Sequence, residues 1–381
     1  MEQEDRETRV NRGEFLKIAA LAVASVFVKA CSWLGLNTPT DVVEDSSVEV
    51  IPSPTAEEQT QTALIQEETI KEAPTETPGD RMSKVAFIKT NDRAEGVRRA
   101  INLLGINPVE GKHVFLKPNF NSADPAPGST HPDVLRSLVL KLQEMGASKI
   151  TMGDRSGMGD TRWAMQQIGV FALAEELGFE VIVFDELGAE DWVMINPPNN
   201  HWKNGFPFAR PILEADVVVQ ACCLKTHKFG GHFTMSLKNS VGMVAKTVPG
   251  EKHNYMNELH VSLSQREKIA EINTAYEPGL IVLEGVEAFT KGGPATGTKV
   301  SSQVVLAGTD RIAVDAVGVA ILRHYGTTSK VSKGTVFEQA QIARAVELGL
   351  GVDSPEKIDI ITDDADSAAY AEEIKGILLK E

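Results

Sequence analysis

Val217-Val218-Val219-Gln220-Ala221-Cys222-Cys223-Leu224-Lys225-Thr226-His227 begins as an unbroken β-branched run and ends on a lysine and a histidine. A run that is apolar at every position, rather than at alternate ones, is the mark of a strand buried on both faces. The same signature recurs at Val85–Ile88, Val114–Leu116, Val181–Phe184, Leu280–Leu283 and Val304–Leu306, and Lys149-Ile150-Thr151-Met152 also reads as a strand. Helical patterns separate these runs, at Glu95–Leu104, Pro132–Met145 and Trp163–Leu177, the last with Gly169 as a break. Two late helices near 310–325 and 336–348 precede Ile358-Asp359-Ile360, a further short strand. Short buried strands alternating with helices predict an α/β fold, a mainly parallel sheet with helices on both faces.

In such a sheet, ligands sit beyond the carboxyl ends of the strands. The residues just past each run are therefore informative. Lys117-Pro118-Asn119 comes after the second and Gly153-Asp154-Arg155-Ser156-Gly157-Met158-Gly159-Asp160 after the third. Lys225-Thr226-His227-Lys228 comes after 217–219. Glu284-Gly285-Val286-Glu287 and then Lys291-Gly292-Gly293-Pro294 come after 280–283. A lysine at a strand end or helix start can hold a carboxylate or phosphate as a point charge. Lys117, Lys225 and Lys238 stand in such places, with Lys238-Asn239 inside a helical reading of Ser236–Val244.

Residues 225–260 collect His227, His232, His253 and His260, half of the eight histidines in the chain. Imidazoles near neutral pH shuttle protons or ligate a divalent metal. His227 and His232 are five apart across Phe229-Gly230-Gly231, a turn rather than one helical face. Three readings stay open: a divalent metal at His227 and His232, loop histidines doing acid–base work on an anion, and packed or solvated rings. No His-Glu-x-x-His, Gly-x-Ser-x-Gly, Walker loop or Gly-x-Gly-x-x-Gly is present. Cys222 and Cys223, adjacent in a strand, point to opposite faces. Asp310 reads as a helix cap, with Asp315 one turn further in.

Composition bounds the rest. The 381 residues carry a formal charge of −15, which argues against a general nucleic-acid binder. Three cysteines exclude a disulfide scaffold and a Cys-only four-iron cluster. The acidity is concentrated: residues 41–80 hold eleven carboxylates and one lysine. Residues 32–82, rich in Thr, Glu and Pro, cannot repay ordering entropy and predict a disordered linker. Ahead of them, Ile18–Val28 is an apolar run too short to span a bilayer and suited to a signal-peptide core. Asn11-Arg12-Gly13-Glu14-Phe15-Leu16-Lys17 resembles a twin-arginine export motif in which Gly13 replaces the second arginine. Val28-Lys29-Ala30-Cys31 resembles a bacterial lipobox, with Cys31 as the lipidated residue. The expected organisation is a signal and anchor segment over 1–31, the linker over 32–82 and an α/β domain over 83–381. The expected address is the extracytoplasmic face of the cell membrane, or the outside of the cell.

The ensemble resembles the bacterial and archaeal family catalogued as domain of unknown function 362. The residues that carry the likeness are Lys117-Pro118-Asn119, the Gly153–Asp160 loop, Ala215–Val219 with Lys225-Thr226-His227, and Thr234-Met235-Ser236-Leu237-Lys238-Asn239-Ser240-Val241-Gly242. His253, Val282–Val286, Gly292-Gly293-Pro294 and Asp310–Asp315 complete it, so that it covers about 85 to 325. The most specific element is Lys-x-His followed by Thr-x-x-x-Lys-Asn-x-x-Gly. The resemblance implies an α/β fold and a shared site, and assigns no reaction. Some members carry iron–sulfur segments; this chain has no Cys-x-x-Cys, and that cofactor is not expected. Glu284 stands where members often have aspartate. A more distant likeness is to the lactate racemase family, from which no residue is carried over.

These readings predict an enzyme for a small anionic substrate, with an anion-binding lipoprotein that does no chemistry as the alternative. Lys117, Asn119, Lys225, Lys238, Asn239 and Gly293 would bind the anion. His227 or His253 would be the general acid–base group, tuned toward neutral pH by nearby lysines. Asp154 and Glu284 would orient a histidine, a cation or a hydroxyl.

Overall fold

The computed structural model describes residues 82–380. The expected export signal, the expected lipid anchor at Cys31 and the expected linker up to residue 81 lie outside the described residues. The described chain forms strands β1 (Ser83–Lys89), β2 (His113–Lys117), β3 (Lys149–Asp154), β4 (Glu180–Val183), β5 (Trp192–Ile195), β6 (Phe206–Ala209), β7 (Val217–His227), β8 (His232–Thr234), β9 (Pro278–Gly292), β10 (Gly297–Gly308) and β11 (Ile358–Ile361). The main sheet runs in the order β11-β1-β10-β9-β7-β2-β3-β4, with β8 hairpinned onto β7. β5 and β6 form a separate two-stranded ribbon.

This is an α/β fold with a sheet of mostly parallel strands. β9-β7, β7-β2, β2-β3, β3-β4 and β1-β11 are parallel. β1-β10, β10-β9 and β7-β8 are antiparallel. The antiparallel part has a local cause. The runs at 280–283 and 304–306 are the buried halves of one long hairpin, closed by the turn between Gly292 and Gly297. In its outer half, Glu, Gly, Lys, Thr and Ser interrupt the apolar residues, so the sequence pattern shows only two separate short strands.

Strand residues alternate between two cores, as the two-residue period requires. Val85, Phe87, Cys222, Leu224 and Leu306 pack on one face with the helix Arg311–His324. Ala86, Ile88, Ala221, Val305 and Ala307 pack on the other with Arg93–Leu104 and Pro132–Glu144. Capping sets these helices as the residue types predict. Asp92 accepts from Glu95 N, Asp160 from Trp163 N, and Asp310 from Ile312 N and Ala313 N. Gly169, at φ 86°, parts Thr161–Ile168 from Val170–Leu177. Among the described residues no helix is long and apolar enough to cross a membrane.

Candidate functional site

β7 extends to His227, so Lys225 and His227 are the last residues of a buried strand rather than part of a loop after it. Two residues apart, they project to the same face. β2 ends on Lys117 and β3 on Asp154. After the β7–β8 hairpin, the chain makes a helical turn, Ser236–Asn239, and a 3-10 turn, Ser240–Met243, where one continuous helix was expected. Asp315, buried on Arg311–His324, holds the start of that turn by accepting from Ser236 N at 2.7 Å and Leu237 N at 3.1 Å. Arg155 holds its far end through the carbonyls of Val241 and Val244.

These ends enclose a cavity lined by Lys117, Asn119, Asp154, Lys225, His227, Lys238 and Asn239 among the expected residues. Thr234, Arg155, Asn121, Gly157, Val241, Gly242 and Pro294 complete the lining. It measures about 40 Å³, against the ~10–15 Å³ that one water needs on the same measure. That is room for a ligand, or a ligand head, of a few heavy atoms.

The cations in the cavity differ in what they are free to do. Lys117 Nζ lies 2.7 Å from Asp154 Oδ1, 2.7 Å from Pro118 O and 3.3 Å from Asn239 Oδ1. All three of its N–H groups are thereby used. Asp154 also accepts from Phe120 N at 2.6 Å and Arg155 N at 2.7 Å, so it ties the loops after β2 and β3 together. Burial pushes the Lys117 ammonium down and the Asp154 carboxyl up, and their mutual attraction offsets both shifts. Lys225 donates to Asn119 Oδ1 at 2.8 Å and to Gly128 O, with one N–H left over. Arg155 is 3% exposed and spends its donors on carbonyls and the Met256 sulfur. Neither the Lys225 ammonium nor the Arg155 guanidinium forms an ion pair with a carboxylate among the described residues. Lys238 lines the cavity with no hydrogen-bond or ion-pair partner among the described residues. Burial, then Lys225 and Arg155, lowers its amine to about 7.

His227 is 6% exposed, and its Nδ1 has no hydrogen-bond partner. Burial first, then Lys238 and Lys225, drives its pKa well below the usual value, so the ring is neutral at physiological pH. The lysines therefore push it away from neutral pH rather than toward it, since like charge disfavours imidazolium. Thr234 Oγ1 is likewise buried and unpartnered. Two orphaned polar groups, His227 Nδ1 and Thr234 Oγ1, and three basic groups without an ion pair, Lys225, Arg155 and Lys238, form an incomplete set around one cavity.

Two glycines make the geometry possible. A Cβ on Gly242 would overlap Asp154 Oδ1 and stand 2.8 Å from Lys117 Nζ. Gly293 does not line the cavity; at φ 66°, its Cα packs on the backbone of β7, where a Cβ would overlap Thr226 O. Its neighbour Pro294 is the lining residue.

Three expected residues lie elsewhere. His253 stands just before the Asn254 cap of Tyr255–Val261, where Glu258, one turn in, holds its Nε2 at 2.7 Å. Glu284 is buried on the β9 face that meets Arg93, whose Nε is 3.1 Å away. Glu284 does not line the cavity, although it pairs with Cys223 across the sheet and its charge reaches Lys225. His232 is paired with His227 across the hairpin, but does not line the cavity. Burial lowers its pKa to about 4. Among the described residues no three His, Cys, Asp or Glu side chains are placed to hold a metal ion. The metal reading of His227 with His232 is left with two imidazoles and no third donor.

Arg155 and Thr234 had signals in the chain. Arg155 directly follows a strand-end carboxylate. Thr234 and Gly242 are the first and last residues of Thr-x-x-x-Lys-Asn-x-x-Gly, a motif that lines the cavity along most of its length.

The fold and site define an α/β protein with a small, positively charged cavity where parallel strands end. Residues 114–320 match the family described as domain of unknown function (DUF362), and the chain belongs to that family. It is 28% identical over 218 residues to thylakoid-associated protein sll1697 of Synechocystis sp. (strain ATCC 27184 / PCC 6803 / Kazusa). That match covers 56% of this chain and 64% of the relative, so the chain spans less than two thirds of the relative's length. The lactate racemase apoprotein from Thermoanaerobacterium thermosaccharolyticum is similar at a TM-score of 0.31 and 12% identity, over 60% of this chain and 54% of the other.

Proposed function

We propose that the cavity binds a small organic anion and that His227 moves a proton on it. Lys225 and the field of Arg155 hold the anion's charge, with Asn119 fixing Lys225 and Asn239 fixing Lys117, and Lys238 stands free beside it. The observation that carries this reading is the pair of buried cations, Arg155 and Lys225, neither ion-paired: Asp154 attracts both from a distance, but its own contacts go to Lys117 and backbone amides. Burying a charge without a counter-charge is costly, and an anion in the cavity offsets that cost. Lys117 contributes through Asp154 to the frame, because its own donors are used. A neutral, unpartnered imidazole beside the anion is suited to accept a proton from it.

The test is thermal unfolding of the protein against a panel of small carboxylates and phosphates, followed by solvent deuterium exchange into the stabilising ligand. At least one anion raises the midpoint in wild type and loses that effect in Lys225→Met. His227→Ala keeps the shift and loses exchange. No shift with any anion overturns the binding reading. Exchange that survives in His227→Ala overturns the assignment of that residue, and a shift without exchange in wild type leaves an anion-binding protein.

The domain is proposed to work outside the cytoplasm, tethered through a lipid on Cys31 and the acidic segment that follows it. The Synechocystis relative is named for association with a membrane system, which agrees with such an address. Mass spectrometry of the natively expressed protein tests it. A lipidated Cys31 N-terminus supports the tether, and an unmodified chain starting at Met1 overturns it.

A further inference from the structure

We infer that Lys238 is an amine nucleophile, and that the anion it takes is a small 2-oxo carboxylate, bound as an imine. This rests on the anion reading and names its substrate class.

Of the three lysines at the cavity, only Lys238 has all its donor positions uncommitted. Lys117 is locked to Asp154, Pro118 and Asn239, and Lys225 to Asn119 and Gly128. Lys238 is also the one with its stem gripped. The hairpin tip lies so close that a Cβ on Gly231 would overlap Lys238 Cε and stand 3.2 Å from His227 Nδ1. The lysine chain and the orphaned imidazole nitrogen therefore share one small volume. Arg155 and Lys225 already place two positive charges there, and a third is disfavoured. A lysine desolvated beside other cations is the arrangement that gives a nucleophilic amine near neutral pH.

The surroundings select the electrophile. The field of Arg155 and the spare Lys225 N–H draw a carboxylate, and the cavity admits only a few heavy atoms. A carbonyl adjacent to that carboxylate then falls against Lys238. The Lys238 lone pair forms the C–N bond while the C=O π pair moves onto oxygen. His227 passes a proton from nitrogen to that oxygen, and Thr234 Oγ1, otherwise unpartnered, hydrogen-bonds it. The C–O bond of the carbinolamine then breaks. The oxygen leaves as water with both hydrogens that the amine gave up, and C=N remains. No electrons are gained or lost. With a proton from solvent on its nitrogen, the imine draws electrons from the neighbouring carbon, so that this carbon can release a proton, the transfer that the proposed function requires.

The experiment is reductive trapping of the full chain. The protein is incubated with pyruvate and borohydride and mapped by peptide mass. Thermal unfolding is followed in parallel with propionate, which has the carboxylate and lacks the carbonyl. The expected result is a single reduced adduct on Lys238 in wild type and its loss in Lys238→Arg, with propionate stabilising wild type. Circular dichroism of Lys238→Arg establishes that the variant is folded, and Lys238→Met serves in its place if it is not. Stabilisation by propionate with no adduct, or with adducts scattered over surface lysines equally in the variant, overturns this inference and leaves anion binding standing. No stabilisation by propionate or pyruvate, and no adduct, overturns both.

Discussion

Lys117 Nζ and Asp154 Oδ1 lie 2.7 Å apart, 1% and 2% exposed, at the ends of adjacent parallel strands. The pair joins three loops, because Asp154 also accepts from the backbone of Phe120 and Arg155, and Lys117 donates to Asn239. Removing one partner of a buried pair leaves an uncompensated charge, which costs about 3–5 kcal/mol. Asp154→Asn is therefore expected to lower the stability measured by urea unfolding by that amount. The double variant Lys117→Met, Asp154→Asn recovers part of the loss, because the stranded ammonium is gone. Equal midpoints for the single and double variants would show that the pair is not coupled.

Gly242 is the point where the 3-10 turn Ser240–Met243 crosses that pair. Gly242→Ala adds one methyl group where there is no room, and overpacking of this kind costs about 1–3 kcal/mol. The strain falls on Asp154 and Lys117, so anion-induced stabilisation is expected to drop along with the midpoint. A variant with wild-type stability and wild-type anion response would contradict the close approach.

Much of this architecture is readable from residue types alone, and the exceptions have physical causes. Apolar runs announce β1, β2 and β7, because strands buried on both faces are apolar at nearly every position, while β3 and β11 show as shorter alternating runs. The same rule hides the outer half of the β9–β10 hairpin, whose polar ends carry no such run, and with it the antiparallel centre of the sheet. At the site, Lys117, Asp154, Lys225, His227 and Lys238 converge because strand ends and the turn after them are where an α/β sheet presents side chains. What residue spacing cannot show is which donors are already spent. Lys117 and Lys225 look equivalent in the chain, yet one is saturated and the other has an N–H to spare. His253 and Glu284 look equally available, but each is already engaged, His253 by Glu258 one turn into the next helix and Glu284 by Arg93 from far along the chain.

Asp315 supplies a pH test of the frame beneath the site. Burial, first among its influences, raises its carboxyl from 3.8 to about 8, while the amides of Ser236 and Leu237 pull the other way. The folded protein then holds a proton that the unfolded chain has released between those two values. Its contribution to stability is full below the unfolded value and is lost as pH rises through about 8. Asp315→Asn keeps an acceptor for the turn and removes the titration. Between pH 4 and 8 the stability of wild type minus that of the variant is expected to decline as pH rises. A flat difference would mean that the carboxyl stays ionised throughout.

Lys238 gives the opposite slope in a separate window. Its amine falls from 10.5 to about 7 on folding, chiefly through burial. Between those values the unfolded chain holds a proton that the folded protein does not, so stability rises with pH across the window. Below pH 7 both states are charged, and the full cost of confining the ammonium near Lys225 and Arg155 is present. In a buffer free of small carboxylates and phosphates, Lys238→Met is therefore expected to exceed wild type in stability at pH 6, with the gap narrowing by pH 9. A bound anion favours the charged amine, so stabilisation by propionate should be greatest below pH 7 in wild type and should lose that pH dependence in the variant. Urea unfolding of both proteins at pH 6 and pH 9, with and without propionate, checks each limb. A gap that is the same at both pH values would place the Lys238 amine in ordinary solvent, with its usual affinity for a proton.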